Sequence, residues 1–439
     1  MTGASDRLKV TYAGGGSQFV ATFLHGLTSV AEDLKALGRP IELSLLDPDL
    51  EKAGLNARYA DLVARRTGLP IKAQATDDRD AALPGSDWVM FGIGLHGQRR
   101  ELLDRYGPRL LDGGETGVFV ALEAAVYWPW ARRFGEDMAR LCPDALFCTL
   151  ANPTDVLAPA VATACSIESV GLCVEVPQLQ HWLAHYLRVP YGDIRLGHLG
   201  LNHLGWVSRW EAGGESDVPK LAAALRRHMG EPTWQPRTDW FVDVLEATGY
   251  MRTGPYHPWP FVRRESRADA ERAETARQAL KADCATRWMS VEAALERGEM
   301  IPECDPCEVH PCAPPYLYPS VRHTFGAIAV GLAGGSAGPV PIQARNGEAN
   351  ASMPADAWLE APTRVEDGRI VPQAVPPLPE PMTAELRALA HQLMLLAEWL
   401  AADSDEALRR ALMLWPNVAS VDVLLELCDE LARCAARPV

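Results

Sequence analysis

The stretch of sequence that decides the fold covers residues 8–27 and reads LKVTYAGGGSQFVATFLHGL. Its first six residues predict a buried strand, and the residues from Phe19 onward have the apolar spacing of a helix. The glycine turn between them would let backbone N–H groups and the helix dipole face a pyrophosphate. Gly14, Gly16 and Ser17 are therefore candidate cofactor-binding residues. Phe19 takes the place of the fingerprint's third glycine, so a plain tight turn is the alternative.

A second unit of the same kind follows. Ile41–Leu46 is another apolar run that predicts a strand, and residues 50–66 predict a helix. Asp47 comes directly after the strand, where an acidic residue can hold the hydroxyls of an adenosine ribose. We take it as a candidate cofactor-binding residue. The alternative is a helix cap, a role that Asp49 could fill equally well.

The alternation of strands and helices continues to about residue 165. Residues 71–75, 87–91 and 145–150 predict further strands, with helical segments between them. This order predicts an α/β fold with a Rossmann-like, doubly wound parallel sheet, whose ligand lies at the carboxyl ends of the strands. We assign residues 1–165 to an NAD-binding domain.

Two of the predicted strand ends carry polar groups. One leads through a glycine-rich turn to Arg99 and Arg100, a pair suited to an anionic group of a substrate. The other leads to Asn152-Pro153, where the asparagine amide can bridge a nicotinamide ribose and a substrate hydroxyl.

A cysteine and a histidine stand in glycine-punctuated turns further along the chain. Cys173 ends the segment Gly-Leu-Cys, and His203 lies in Gly-Leu-Asn-His-Leu-Gly. A thiolate and an imidazole can be two ligands of one divalent metal. The alternative is one buried thiol and one core histidine.

The composition is that of an ordinary globular protein. The chain has 439 residues and a formal charge of −15, which argues against a nucleic acid or an acidic membrane as partner. No apolar run approaches the ~20 residues needed to span a bilayer, and the first residues lack the pattern of a signal peptide. We expect a cytoplasmic protein whose ten cysteines are mostly reduced.

Four motifs in order connect the chain to a known family: Gly14–Ser17, Asn152-Pro153, Gly171–Cys173 and Gly200–His203. With them, the sequence resembles glycoside hydrolase family 4, the NAD- and manganese-dependent glycosidases. The resemblance runs nearly end to end and continues in Arg345–Asn350 and Leu359–Pro362.

The resemblance implies a fold and a chemistry. After the Rossmann-like domain, residues 166–439 would form an α+β domain like that of lactate and malate dehydrogenases. This second domain would bind substrate and metal, and we expect a homodimer or homotetramer. In the family, NAD+ takes a hydride from C3 of a glycoside, and a divalent metal polarises the ketone. A tyrosinate-like base removes the C2 proton, the aglycone leaves, water adds and the hydride returns.

The resemblance also gives residues their roles. Cys173 and His203 would bind the metal, Asn152 would contact sugar and cofactor, and Asn202 would be a neighbouring substrate contact. The family's tyrosine base lies in a proline- and aromatic-rich segment. Tyr256 is the first candidate there, with an aromatic residue packed under a loop as the alternative.

Three features depart from the family pattern or leave a role open. Tyr250 is the second candidate for the base. Many α-specific members have an Asp after the metal cysteine as general acid, whereas Val174 stands here, with Glu175 as a substitute candidate. This fits a β-configured substrate or a good leaving group. Because Arg99 lies further along than the family's phosphate-binding arginine, a uronate or a sulfonate such as a sulfoquinovoside is as plausible as a 6-phosphate. A neutral sugar is a further alternative.

Two other functions and one other site are open. A 2-hydroxy-acid or polyol dehydrogenase shares the sheet and the Asn-Pro turn, and a non-catalytic NAD-binding sugar sensor would not need the missing acid. A group of three cysteines and a histidine is a candidate zinc site, with free thiols in a loop as the alternative. Its members are Cys304, Cys307, His310 and Cys312.

Overall fold

The computed structural model describes residues 6–95, 97–98, 101, 105–106, 118–229, 240–253, 291–302, 321–415 and 421–437. Within these ranges, twelve strands form one sheet. They are β1 Leu8–Ala13, β2 Ile41–Leu46, β3 Ile71–Thr76, β4 Trp88–Phe91, β5 Leu146–Thr149, β6 Ser169–Gly171, β7 Ile194–Leu201, β8 Leu204–Ala212, β9 Met251–Arg252, β10 Ser336–Arg345, β11 Trp358–Glu366 and β12 Arg369–Pro372.

Helices cover both faces of this sheet. They are α1 Phe19–Thr28, α2 Ala31–Leu37, α3 Leu50–Thr67, α4 Arg79–Ala82, α5 Val118–Leu141, α6 Thr154–Cys165, α7 Glu175–Leu187, α8 Val218–Arg226, α9 Trp240–Thr248, α10 Arg322–Leu332, α11 Glu380–Ala402, α12 Asp405–Met413 and α13 Val421–Ala435. Alternate residues of β4 enter the two cores that result. Trp88 and Met90 pack with α1, α3 and α10, while Val89 and Phe91 pack with α5 and α6.

The first half of the sheet is parallel, in the order β3-β2-β1-β4-β5-β6. All six residues of β1 are buried, as expected for a strand with helices on both faces. This arrangement confirms the predicted Rossmann-like sheet. The bounds of β1 and β2 are those predicted, β3 and β4 differ by one residue at one end, and β5 differs by one residue at each end.

The second half of the sheet is antiparallel and continues from β6 in the order β10-β11-β7-β8-β9, with β12 on β11. In register, Gly171 of β6 lies opposite Gln343, Gln343 opposite Glu360, and Glu360 opposite Gly200 of β7. One hydrogen-bonded sheet therefore crosses the predicted boundary at residue 165. The division into two domains stays a prediction.

None of the helices in the described part of the chain combines the length and the apolar character that a membrane crossing requires.

Candidate active site

The glycine turn after β1 lies against the carboxyl ends of β2 and β4. Gly14 and Gly15 both donate their backbone N–H to the Leu46 carbonyl, at 2.9 and 3.0 Å. A Cβ on Gly14 would lie 2.5 Å from the Gly92 carbonyl oxygen, and Gly14 has a φ of +90°. Only glycine adopts that conformation without strain. The turn therefore packs directly against the residue that follows β4.

The two aspartates after β2 have different roles. Asp49 caps α3 by accepting a bond from the Lys52 N–H at 3.1 Å. Asp47 accepts one bond from the Gly16 N–H and one from the Asp49 N–H, both at 2.9 Å. Asp47 is half-buried and ties the glycine turn to the strand end. The hydroxyl oxygen of Ser17 accepts a bond from the first N–H of α1, at 3.2 Å.

Four polar side chains form a chain of hydrogen bonds beyond the end of β5. The Thr154 hydroxyl donates to Gln343 Oε1. Gln343 Nε2 donates to Asn202 Oδ1 at 3.2 Å, and Asn202 Nδ2 donates to Asn152 Oδ1 at 2.9 Å. Thr154, Gln343 and Asn202 are buried, whereas Asn152 is half-buried. The structure thus brings together the two predicted substrate-contacting asparagines and adds two residues that support them.

Gln343 contacts the ends of the two strands that precede the predicted metal ligands. A Cβ on Gly171 would lie 2.5 Å from Gln343 Oε1, while Gln343 Nε2 bonds to Asn202. Cys173 comes two residues after Gly171, and His203 comes directly after Asn202. One side-chain amide therefore spans the gap between the two turns.

Both predicted ligands are buried and locally constrained. Cys173 Sγ accepts a bond from the Glu175 N–H at 3.3 Å. His203 has a φ of +62° in the two-residue turn between β7 and β8. Two-residue hairpin turns take positive φ values, and histidine is among the non-glycine residues enriched there. The turn places His203 directly after Asn202.

The donor set of this site is small. Among the residues that the structure describes, no group of three or more His, Cys, Asp or Glu side chains could hold a metal. A thiolate and an imidazole suit a divalent ion with open coordination positions. Ligand oxygens and water would have to fill those positions.

Two buried carboxyl groups lie behind the asparagines. Asp155 Oδ2 accepts a bond from the Asn202 N–H at 3.0 Å. Glu360 is 1% exposed, and neither of its carboxyl oxygens has a hydrogen-bond partner in the described part of the chain. Burial raises the pKa of Asp155 to about 7, and burial together with the Asp155 charge raises the pKa of Glu360 to about 8. Glu360 is therefore mostly protonated at neutral pH.

A buried arginine forms an ion pair with Glu385. Arg252 is 3% exposed and lies 3.1 Å from Glu385, with its guanidinium 4.7 Å from the centre of the Trp206 ring. Burial lowers the pKa of Arg252, while Glu385 and then Glu175 act in the opposite direction. Arg252 is therefore within electrostatic range of Glu175, which lies two residues after Cys173.

Several predicted site residues lie outside the described part of the chain. Tyr250 is described: it is half-buried and packs against the core that contains α5, α6 and α11. The predicted site residues that lie outside the described ranges are Tyr256, Arg99, Arg100, Cys304, Cys307, His310 and Cys312.

Two family models match the chain. The model described as Family 4 glycosyl hydrolase matches residues 9–189, and the Family 4 glycosyl hydrolase C-terminal domain matches residues 198–418. The chain belongs to glycosyl hydrolase family 4. The resemblance carried by the four ordered motifs is thereby confirmed, although each motif by itself is common.

Known members and more distant proteins place the chain within this family and fold. An alpha-galactosidase of Bacillus subtilis (strain 168) is 24% identical over 269 residues, 58% of this chain and 60% of the relative. The match therefore spans less than two thirds of that relative's length.

Solved structures show the same fold. A 6-phospho-beta glucosidase from Thermotoga maritima, with NAD and glucose-6-phosphate, has a TM-score of 0.73 at 19% identity and covers 97% of this chain and 98% of that one. Another structure of that enzyme also holds manganese, with a TM-score of 0.70 at 18% identity and coverage of 97% and 98%. The lactate dehydrogenase of Cryptosporidium parvum has a TM-score of 0.51 at 14% identity and covers 91% and 99%. The predicted dehydrogenase-like second part is consistent with this match.

The sequence interpretation missed three polar residues that the structure places beside the family 4 motifs. Gln343 and Glu360 lie on late strands, where alternation with apolar residues is the only local signal. Asp155 could have been found, because it follows the Asn-Pro turn at the start of α6, where acidic residues are favoured.

Proposed function

We propose that this protein is an NAD-dependent glycosidase that cleaves an anionic glycoside by transient oxidation of the sugar. The observation that carries the proposal is the pairing of Asn152 with Asn202, directly before His203, in a chain of family 4. The solved Thermotoga maritima relative, with manganese, NAD+ and glucose-6-phosphate, supports the choice of ligands.

The residues present fit the two groups that such a reaction needs. The glycine turn, whose close packing on Gly92 leaves no room for a Cβ at Gly14, would hold NAD+ together with Ser17 and Asp47. Cys173 and His203 would hold a divalent metal, and sugar oxygens are the donors that Mn²⁺ prefers for its remaining positions. When bound, NAD+ would accept and return the C3 hydride and the metal would act as a Lewis acid.

The chain's own residues would position the sugar and move its protons. The Nδ2 group of Asn152 would donate to a sugar oxygen, because Asn202 already occupies its Oδ1. Tyr256, with Tyr250 second, would take the C2 proton once C3 is a ketone. Arg99 and Arg100 would bind the anionic group, which is a 6-phosphate, uronate or sulfonate.

We further propose that the aglycone leaves without a general acid at position 174, directly after Cys173. Val174 cannot donate a proton, and Glu175, the substitute candidate, is the next residue. A β-configured substrate or one with a good leaving group fits this arrangement.

Turnover in deuterated water tests the proposal. The protein is incubated with NAD+, Mn²⁺ and p-nitrophenyl glycosides that carry a 6-phosphate, a uronate, a sulfonate or no charge. We expect aglycone release from a charged glycoside, with deuterium at C2 of the released sugar. NADH accumulation without aglycone would instead identify a dehydrogenase, and ligand binding without turnover a sensor.

Two substitutions test the metal site separately. Cys173→Ser and His203→Ala should each lose metal-dependent turnover and keep NAD+ binding, because the glycine turn is untouched. Cys165→Ser and His391→Ala are matched controls on α6 and α11, and both should keep full turnover. Unchanged turnover in either test variant would remove that residue from the site.

A further inference from the structure

We propose that Thr154 and Gln343 are positioning residues that set the direction of the hydrogen bonds reaching Asn152. As a result, Asn152 presents its side-chain NH2 group, and not its oxygen, to the ligand. This inference rests on the proposed function, because it assigns the ligand-facing atom of Asn152. The order of donors is Thr154 hydroxyl, Gln343 Nε2, Asn202 Nδ2. Each amide in this chain accepts on one side and donates on the other.

Side-chain amides can form such a series of hydrogen bonds in either direction, so a group at one end must determine which direction is adopted. The Thr154 hydroxyl is fully buried, and within the described residues Gln343 is its only hydrogen-bond partner. In the reverse direction Gln343 would donate to Thr154, and the buried O–H would have no acceptor. An unsatisfied buried donor is costly, which favours the observed direction.

The surroundings leave the four side chains little room to rearrange. A Cβ on Gly171 would lie 2.5 Å from Gln343 Oε1 and 2.8 Å from Thr154 Cβ, so only glycine accommodates their contact. Asp155, next to Thr154, accepts the backbone N–H of Asn202 at 3.0 Å. The start of α6 therefore fixes both the backbone and the side chain of Asn202.

The consequence is chemical. An amine donor at Asn152 can stabilise a sugar oxygen that becomes a ketone, whereas an amide oxygen in its place would repel it. The direction of hydrogen bonds set at Thr154 would thus change the free energy of the transition state more than the affinity for NAD+ or sugar. A residue with this role affects kcat more than KM.

Replacing Gln343 by Glu tests the direction of the chain. When ionised, the new carboxylate has no proton to donate, so Asn202 turns its side-chain NH2 group toward it. Asn152 then turns its own NH2 group toward the oxygen of Asn202. We expect a fall in kcat on the order of 100-fold, as for loss of one preorganised donor, with less change in KM. At lower pH the protonated carboxyl donates to Asn202 again, and kcat relative to the native protein should recover.

Three comparisons isolate this effect. Gln343→Leu cannot donate at any pH and should not recover. Gln373→Glu makes the same change at the end of β12, where its side chain bonds to the Val371 carbonyl, and should keep full turnover. Thr154→Val should also lower kcat, and Thr154→Ser should restore it. Equal, pH-independent losses in Gln343→Glu and Gln343→Leu would show a merely structural role and overturn the proposal.

A second measurement does not depend on turnover. In protein labelled with ¹⁵N-asparagine, the side-chain amine of Asn152, assigned through its loss in Asn152→Asp, should exchange with solvent faster in the native protein than in Gln343→Glu at high pH. Equal exchange rates would refute the directional chain. If this difference is found while no glycoside is cleaved, the proposed function fails and the directional chain stands.

Discussion

The replacement of Glu360 by Gln gives a sharp test of the buried carboxyl pair. Glu360 is 1% exposed, lies opposite Gln343 in register and has no hydrogen-bond partner among the described residues for either oxygen. Glutamine has nearly the same shape and never ionises. The substitution therefore removes one titrating group with little change in packing.

The magnitude follows from the change in pKa between the unfolded and folded chain. Burial and the Asp155 charge raise the pKa of Glu360 from 4.5 to about 8. Between these values the folded chain keeps a proton that the unfolded chain releases, so the native free energy of unfolding falls as pH rises. One such group contributes up to about 1.4 kcal/mol per pH unit, or about 5 kcal/mol in all.

Urea unfolding at pH 5, 7 and 8.5 measures the effect. Glu360→Gln should match the native protein within about 1 kcal/mol at pH 5, and should be several kcal/mol more stable at pH 8.5. The control is Glu366→Gln on the same strand, whose carboxylate is partly exposed and lies 3.8 Å from Arg364. Parallel pH profiles for the native protein and Glu360→Gln would refute the reasoning.

Three further substitutions test other contacts. Gly14→Ala should lower the free energy of unfolding by at least about 1 kcal/mol, because its Cβ would lie 2.5 Å from a carbonyl oxygen at a φ of +90°; urea midpoints measure it, and unchanged stability would contradict the geometry. Asp47→Ala releases the Gly16 N–H and should weaken NAD+ binding about tenfold in calorimetry; equal affinity would count against Asp47. Arg252→Met removes the ion-pair partner of buried Glu385 and should cost about 3 to 5 kcal/mol. Adding Glu385→Gln should recover part of that loss, and no recovery would show that packing dominates.

The parallel half of the fold could be predicted because its signals are local. The strands β1, β2, β4 and β5 are rich in apolar residues and end at turns, and β1 and β2 match their predicted bounds. The sequence left the roles of Asp47 and Asp49 open, since both precede a helix. Only the hydrogen bonds of the folded chain separate the helix cap from the residue that holds the glycine turn.

The support of the site could not be predicted because it depends on distant contacts. Thr154 and Gln343 are 189 residues apart in sequence, and they meet only because β10 pairs with β6. Arg252 lies two residues from Tyr250, yet its environment is set by Glu385, 133 residues later. The motifs mark the residues that face a ligand, whereas the residues behind them look like ordinary strand positions.

The pairing of β10 with β6 and of β11 with β7 has a practical consequence for engineering. A fragment that stops before residue 336 would lack both strands and leave the edges of β6 and β7 without hydrogen-bonding partners. Such open edges promote aggregation. The part of the chain that contains β1 to β6 should therefore be difficult to express alone. Exchange of the rest of the chain between relatives should succeed only when residues 336–366 are exchanged with it.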